Sequence, residues 1–159
     1  MVLGRMELKD IMVRNVVTID SEASVKEAAK HMNLYEIGCL IVMDKDKVSG
    51  ILTERDLLTK VVETARNAEK TKVKDITTNN LVTGTSDMDV VDAARLMLKK
   101  KIKKLPIVDR GKLVGLVTFT DIVRTVRLEP GMLNTIREFS REGLLAPKSM
   151  RTLIEVYTT

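Results

Sequence analysis

Two heptapeptides in this 159-residue chain carry the residues best suited to chemistry: GILTERD, Gly50 to Asp56, and GLVTFTD, Gly115 to Asp121. In each, an apolar run ends at a Thr that is followed three residues later by an Asp. Such a pair can cap a helix, because the hydroxyl accepts from a backbone N–H of the first turn while the carboxylate accepts from the Thr N–H. It can equally offer an acceptor-only carboxylate to a ligand that carries two adjacent hydroxyl donors. The remaining reactive side chains offer less. Cys39, the single cysteine, lies in the apolar run CLIVM and reads as a buried small hydrophobe with no second thiol to pair with. His31, the single histidine, lies in the helix-like run VKEAAKHM and has no second histidine with which to share a metal. A Cys39–His31 thiolate pair lacks any further mark of an activated nucleophile. With no Ser/His/Asp set, metal cluster or phosphate-cradling glycine loop in the sequence, the expectation is a protein that is not an enzyme and holds no cofactor or metal.

The composition allows one ordinary domain or two small ones, since 44% apolar residues suffice for a core. No apolar run approaches the roughly 20 residues that span a bilayer, and the start MVLGRMELKD lacks a signal-peptide core. The expectation is therefore a cytoplasmic protein without a membrane partner. A net charge of +5 suits polyanions, which leaves nucleotides, nucleic acid and acidic proteins as candidate partners. The run KKKIKK, Lys99 to Lys104, reads first as a solvated helix end and second as a phosphate contact. A nucleic-acid binder is the runner-up reading. Against it, aromatic residues make up only 3% of the chain and no helix-turn-helix signature appears.

Positioning the two heptapeptides requires elements, and the chain writes those elements twice. An offset of 65 residues sets LKDIMVRNVVTIDSEASVKEAAKHM over VKDITTNNLVTGTSDMDVVDAARLM without a gap, and the register continues through both heptapeptides. Each copy predicts a short extended piece (16–18, 81–83) and then an amphipathic helix (25–33, 90–98). Val25, Ala28, Ala29 and Met32, with Val90, Ala93, Ala94 and Met97, fall at i, i+3, i+4 and i+7 and predict one buried face per helix. Two apolar runs joined by DKDK or DRGK predict a hairpin (39–43 with 48–52, 105–108 with 113–117), and a second helix follows (from 54 to about 64, from 119 to about 127). The fold class expected is α/β (α+β), with two β-α-β-β-α units at 8–66 and 73–127. A helical C-terminal extension is expected at 128–159, where EPG precedes the helically spaced Met132, Ile136 and Phe139.

This duplicated unit, with LPIVD at Leu105 to Asp109 and G-h-h-T-x-x-D in both copies, resembles the CBS domain, and the pair resembles the tandem arrangement known as a Bateman module. The resemblance implies two pseudo-symmetric units packed sheet to sheet, with clefts that bind adenosine-containing ligands: AMP, ADP or ATP, or a relative such as NAD or S-adenosylmethionine. It implies that Asp56 and Asp121 hold ribose hydroxyls and that Thr53 and Thr118 contact ribose or phosphate. Adenine contacts are implied at Val17, Thr18, Ile19, Gly38 and Cys39 in the first copy, and at Val82, Thr83, Gly84, Lys103 and Lys104 in the second. In related nucleotide sensors basic residues at the last two positions meet phosphate, and Arg55 sits at a helix start where it could do the same. The copies differ there, with Glu54 and Arg55 against Phe119 and Thr120, and with Gly38 and Cys39 against Lys103 and Lys104, so unequal sites are expected. The resemblance also implies a homodimer, a regulated protein partner and a role in sensing cellular energy.

Overall fold

The computed structural model describes residues 6–126; the extension at 128–159 lies outside the described residues. The elements run α1 (Leu8–Ile11), β1 (Thr18–Asp20), α2 (Val25–Leu34), β2 (Cys39–Asp44), β3 (Lys47–Thr53) and α3 (Glu54–Leu57), the last continuing into a π-helical turn (Leu58–Val62). Then come α4 (Val73–Ile76), α5 (Val90–Lys100), β4 (Lys104–Asp109), β5 (Lys112–Thr118) and α6 (Phe119–Val126). The mixed α/β class and the duplicated helix, hairpin and helix agree with the sequence reading.

The chain divides into two compact units, which do not coincide with the two sequence copies. One unit is formed by 15–81 with 110–112; the other, among the described residues, is formed by 6–14, 82–109 and 113–126. The near-identical leading helices LKDI and VKDI are thus exchanged. In α4, the Val73 and Lys74 N–H groups donate to Ala23 and Ser21 carbonyls, both at 2.9 Å; in α1, Leu8 and Lys9 donate to the homologous Met88 and Ser86 carbonyls, also at 2.9 Å. Leu8 and Val73, both 0% exposed, are buried in the core of the unit that each helix has joined. Helices of four residues cannot stand alone, and these docking contacts are what hold them.

In the 15–81 unit, three strands lie in the order β1-β2-β3. β1 runs parallel to β2, with Thr18 opposite Ile41, and β2 runs antiparallel to β3, with Cys39 opposite Thr53. The starts of β1 and β2 and the end of β3 therefore lie at one end of the sheet. Leu40, Val42 and Leu52 face a core completed by Val25, Ala28 and Met32 of α2. The other unit pairs β4 with β5 and adds a parallel bridge from Gly84 to Ile107. Its core joins α5, α6 and both strands around Phe119, Ile122 and Met97.

Three expectations shift. The first extended piece begins where the sequence pattern ends it, at Thr18, and in the second copy it shrinks to the single Gly84 bridge. The second helix of the first copy is broken after one α-turn by the π-helical turn, whereas α6 is a plain α-helix. Ala29 is exposed although its counterpart Ala94 is buried. The reason lies in the neighbouring element: Phe119 is 1% exposed and shares the core cluster with Ala94, while Glu54, its counterpart, leaves Ala29 uncovered.

Duplication also reaches the backbone. Glu36 and Lys101, just past the ends of α2 and α5, both take left-handed φ near +55°, as do Lys45 and Arg110 in the two hairpin turns. Each pair is 65 residues apart, so even the less favourable conformations of the first copy recur in the second.

Candidate functional site

β3 and β5 each end on the Thr of T-x-x-D, and both motifs form the same clamp. Thr53 donates to Asp56 Oδ2 from its backbone N–H at 2.9 Å and from its hydroxyl at 2.7 Å, and the Asp56 N–H donates back to Thr53 Oγ1 at 3.3 Å. The Thr118–Asp121 distances are 2.9, 2.6 and 3.2 Å. The capping reading therefore holds in both copies, and it consumes only one oxygen of each carboxylate. A strand must arrive extended at the Thr for this geometry, and Thr53 does so with φ −118° and ψ 161°.

What surrounds the clamp is set by one backbone hydrogen bond that recurs in both copies. The Glu54 N–H donates to the Gly38 carbonyl at 3.2 Å, and the Phe119 N–H donates to the Lys103 carbonyl at 2.8 Å. Gly38 and Cys39 are thereby brought to Thr53 and Glu54, and Lys103 and Lys104 to Thr118 and Phe119. Cys39 is buried, Gly38 half-buried, Lys103 exposed and Lys104 half-buried. Arg55 stands exposed on α3.

The adenine-side candidates are placed less uniformly. Thr18 is exposed and Ile19 buried, and the two line a recess of about 400 Å³ with Glu27, His31 and Lys45. Glu54 lines a different recess of about 430 Å³ with Ala29, Ile37 and Glu36, and the two recesses share no lining residue. Thr83 is exposed. Gly84 is buried, with its N–H donating to the Pro106 carbonyl at 3.0 Å and its carbonyl accepting from Val108 at 2.9 Å. The Val17 carbonyl likewise accepts from Ile41 at 3.3 Å. These backbone groups are spent on the sheet rather than aimed at a ligand.

Lys60 escaped the sequence reading. Its ammonium lies 2.8 Å from Asp56 Oδ1 and also donates to the Ile76 carbonyl at 2.7 Å. The signal was present as an acid-to-lysine spacing of four on one helix face. Burial alone pushes the Asp56 carboxyl up, but hydrogen bonds from Lys60 and Thr53 outweigh it and hold the group below its ordinary range. Among the described residues no group of His, Cys, Asp and Glu could hold a metal ion, and no helix is long and apolar enough to cross a membrane.

The chain matches the CBS domain family model twice, at residues 8–63 and 73–128. It is 38% identical over 131 residues to protein MK0525 of Methanopyrus kandleri, a match covering 81% of this chain and 65% of that protein. It is 33% identical over 115 residues to the CBS domain-containing protein YhcV of Bacillus subtilis, covering 72% of this chain and 81% of that one. Among solved structures, the CBS domain pair of protein MJ0100, in complex with 5'-methylthioadenosine and S-adenosyl-L-methionine, superposes with a TM-score of 0.69. Its sequence identity is 31%, and the match covers 77% of this chain and 96% of that one.

Proposed function

Since this chain belongs to the CBS-domain family, as a tandem pair, we propose that it is a cytoplasmic regulatory module that binds an adenosyl ligand and signals by a change of conformation or of dimer arrangement. The observation that carries the reading is the relative captured with two adenosyl compounds, joined to a T-x-x-D clamp in both copies here. A carboxylate held by its own Thr through one oxygen keeps the other as an acceptor, paired with Lys60 at Asp56 and unshared among the described residues at Asp121, and a ribose diol is the matching donor pair. Thr53 and Thr118, Lys103 and Lys104, and Arg55 supply hydroxyl and cationic groups for the 5' substituent. Gly38, Cys39, Thr18, Ile19, Thr83 and Gly84 are the candidates for contact with the base, contributing shape more than hydrogen bonds.

Such a module does no bond chemistry. Its output is limited by the ligand's differential affinity for two states of the protein, and the state change is read by a second copy of this chain or by a regulated protein. AMP, ADP and ATP are the first candidates, with NAD and S-adenosylmethionine beside them. Calorimetric titration of the nucleotide-stripped protein with these five compounds, alongside the double variant Asp56→Ala, Asp121→Ala, tests the reading. Saturable binding that the variant loses while staying folded is the expected result. A folded wild type that binds none of the five would overturn it.

A further inference from the structure

The clamp is duplicated, but the charge at one position beside it is inverted between the copies. In the first copy, a Cβ placed on Gly38 would stand 3.1 Å from Glu54 Oε2, so an exposed carboxylate lies directly over Gly38. In the second copy the same backbone hydrogen bond places Lys103 there, and Phe119 turns its ring into the core. One position beside the ribose-facing Asp therefore carries a negative charge in one unit and a positive charge in the other.

A second, independent difference acts on the Asp itself. Lys60 sits in the π-helical turn, which the second copy lacks, and its ammonium reaches Asp56 Oδ1, the Ile76 carbonyl and, at 3.4 Å, Thr78 Oγ1. All three of its donors are directed at this unit. With Thr53 on Oδ2 and Lys60 on Oδ1, both oxygens of Asp56 are engaged, and its side chain is only 14% exposed. Thr125, the counterpart of Lys60, carries no charge, and its hydroxyl donates to the Asp121 carbonyl at 2.8 Å. Among the described residues no side chain engages Asp121 Oδ1. A π-turn in one copy's helix is a local departure found frequently at functional sites.

We propose that the second copy, through Asp121, Thr118 and Lys103, is the site for an adenosine phosphate, and that Lys60 and Glu54 close the first copy to it. The inference rests on the adenosyl-binding reading above and deepens it. A phosphate entering the first copy meets the Glu54 carboxylate, and the ribose diol must displace a lysine already seated on Asp56. Lys60 is a positioning residue, acting on the ligand through Asp56.

Calorimetry with AMP on the full chain tests this. The wild type is expected to take one AMP per chain. Asp121→Asn weakens that site by about 10- to 100-fold, the range expected when a charged acceptor of two hydroxyls is lost. Lys60→Met combined with Glu54→Gln is expected to open a second AMP site per chain, while Lys60→Arg, which keeps the cation on Asp56, retains one. Melting curves establish that each variant is folded, and Lys60→Arg with Glu54→Gln serves if the Met variant is not, with a second weak AMP site expected from removal of the Glu54 charge alone. Two equal AMP sites in the wild type, or a single site lost in Asp56→Asn but not in Asp121→Asn, would overturn the inequality and leave the sensor reading standing. Binding of S-adenosylmethionine without AMP would do the same. A wild type that binds neither overturns both.

Discussion

The glycine that opens each heptapeptide permits a close approach, and that makes a graded prediction. A Cβ on Gly50 would lie 2.3 Å from Thr77 Cγ2 and 2.8 Å from the Thr78 carbonyl oxygen. Ile51 bridges Thr78 there, so the chain leaving the exchanged helix α4 crosses β3 with no room for a methyl group. A Cβ on Gly115 would meet Met12 Sδ at 2.5 Å and the Val13 carbonyl at 3.1 Å. The second obstacle is chiefly a flexible thioether that can rotate away; the first includes backbone that cannot. Gly→Ala at an unobstructed site with negative φ stabilises by about 0.4–1 kcal/mol through the unfolded chain, so any loss measures the clash. Gly50→Ala is expected to cost about 1–3 kcal/mol, the usual range for overpacking. For a chain of this length that lowers the melting temperature by roughly 2–12 °C. Gly115→Ala is expected to fall well short of it, within about 1 kcal/mol of wild type. Differential scanning calorimetry on both variants gives the comparison. A Gly50→Ala protein that melts at or above wild type, or below which Gly115→Ala falls, would refute the close-approach argument.

Two further outcomes follow from single residues. Glu22 pairs with Lys72 and Lys74 of the exchanged segment, and those hydrogen bonds lower its carboxyl from 4.5 to about 2. A depressed carboxylate stabilises above its unfolded value and loses that contribution as pH falls toward its folded one. The difference in urea midpoint between wild type and Glu22→Gln should therefore be present at neutral pH and shrink between about pH 4.5 and 2. Because all three side chains are about half exposed, high salt should reduce the same difference; a midpoint difference indifferent to pH and salt would exclude the pairing as its cause. Cys39 is 7% exposed at the first position of β2. Ellman's reagent is expected to leave it unmodified in the native protein and to titrate one thiol in denaturant, whereas rapid native reaction would reopen a reactive role for it.

The duplication and most element boundaries were legible because apolar runs and turn residues recur at a fixed offset, and local chemistry decides them. The sequence expectation for β2 and β3 misses only Asp44, Lys47 and Thr53, each at a strand end. Exchange of the leading helices was not legible, since LKDI and VKDI are interchangeable by pattern and only tertiary docking distinguishes them. Exposure of Ala29 was hidden for a related reason. Periodicity reports the face of a helix, but what covers that face depends on residue 54 in one copy and 119 in the other. The T-x-x-D clamp was visible in sequence and its double use as a cap was expected; the ion pair that engages Asp56 needed the path of the π-turn.

These differences bear on how a site is to be recognised in a duplicated fold. Each Asp meets a structural demand, since it accepts from the Thr N–H at the end of its strand whether or not a ligand ever arrives. Identity of the motif in both copies therefore carries no information about whether both copies bind. That information lies in positions the cap does not use, where a change leaves the clamp distances almost untouched: 38 against 103, 54 against 119, and 60 against 125. All three differ between the copies, and all three differ in charge. At 38 and 54 the first copy lacks a base and adds an acid, which lowers its fitness for an anionic ligand, while at 60 it seats a lysine on the carboxylate that a ribose diol would need. An acid in place of a base at one point beside the clamp and an occupied carboxylate at another are best explained by two sites with different tasks.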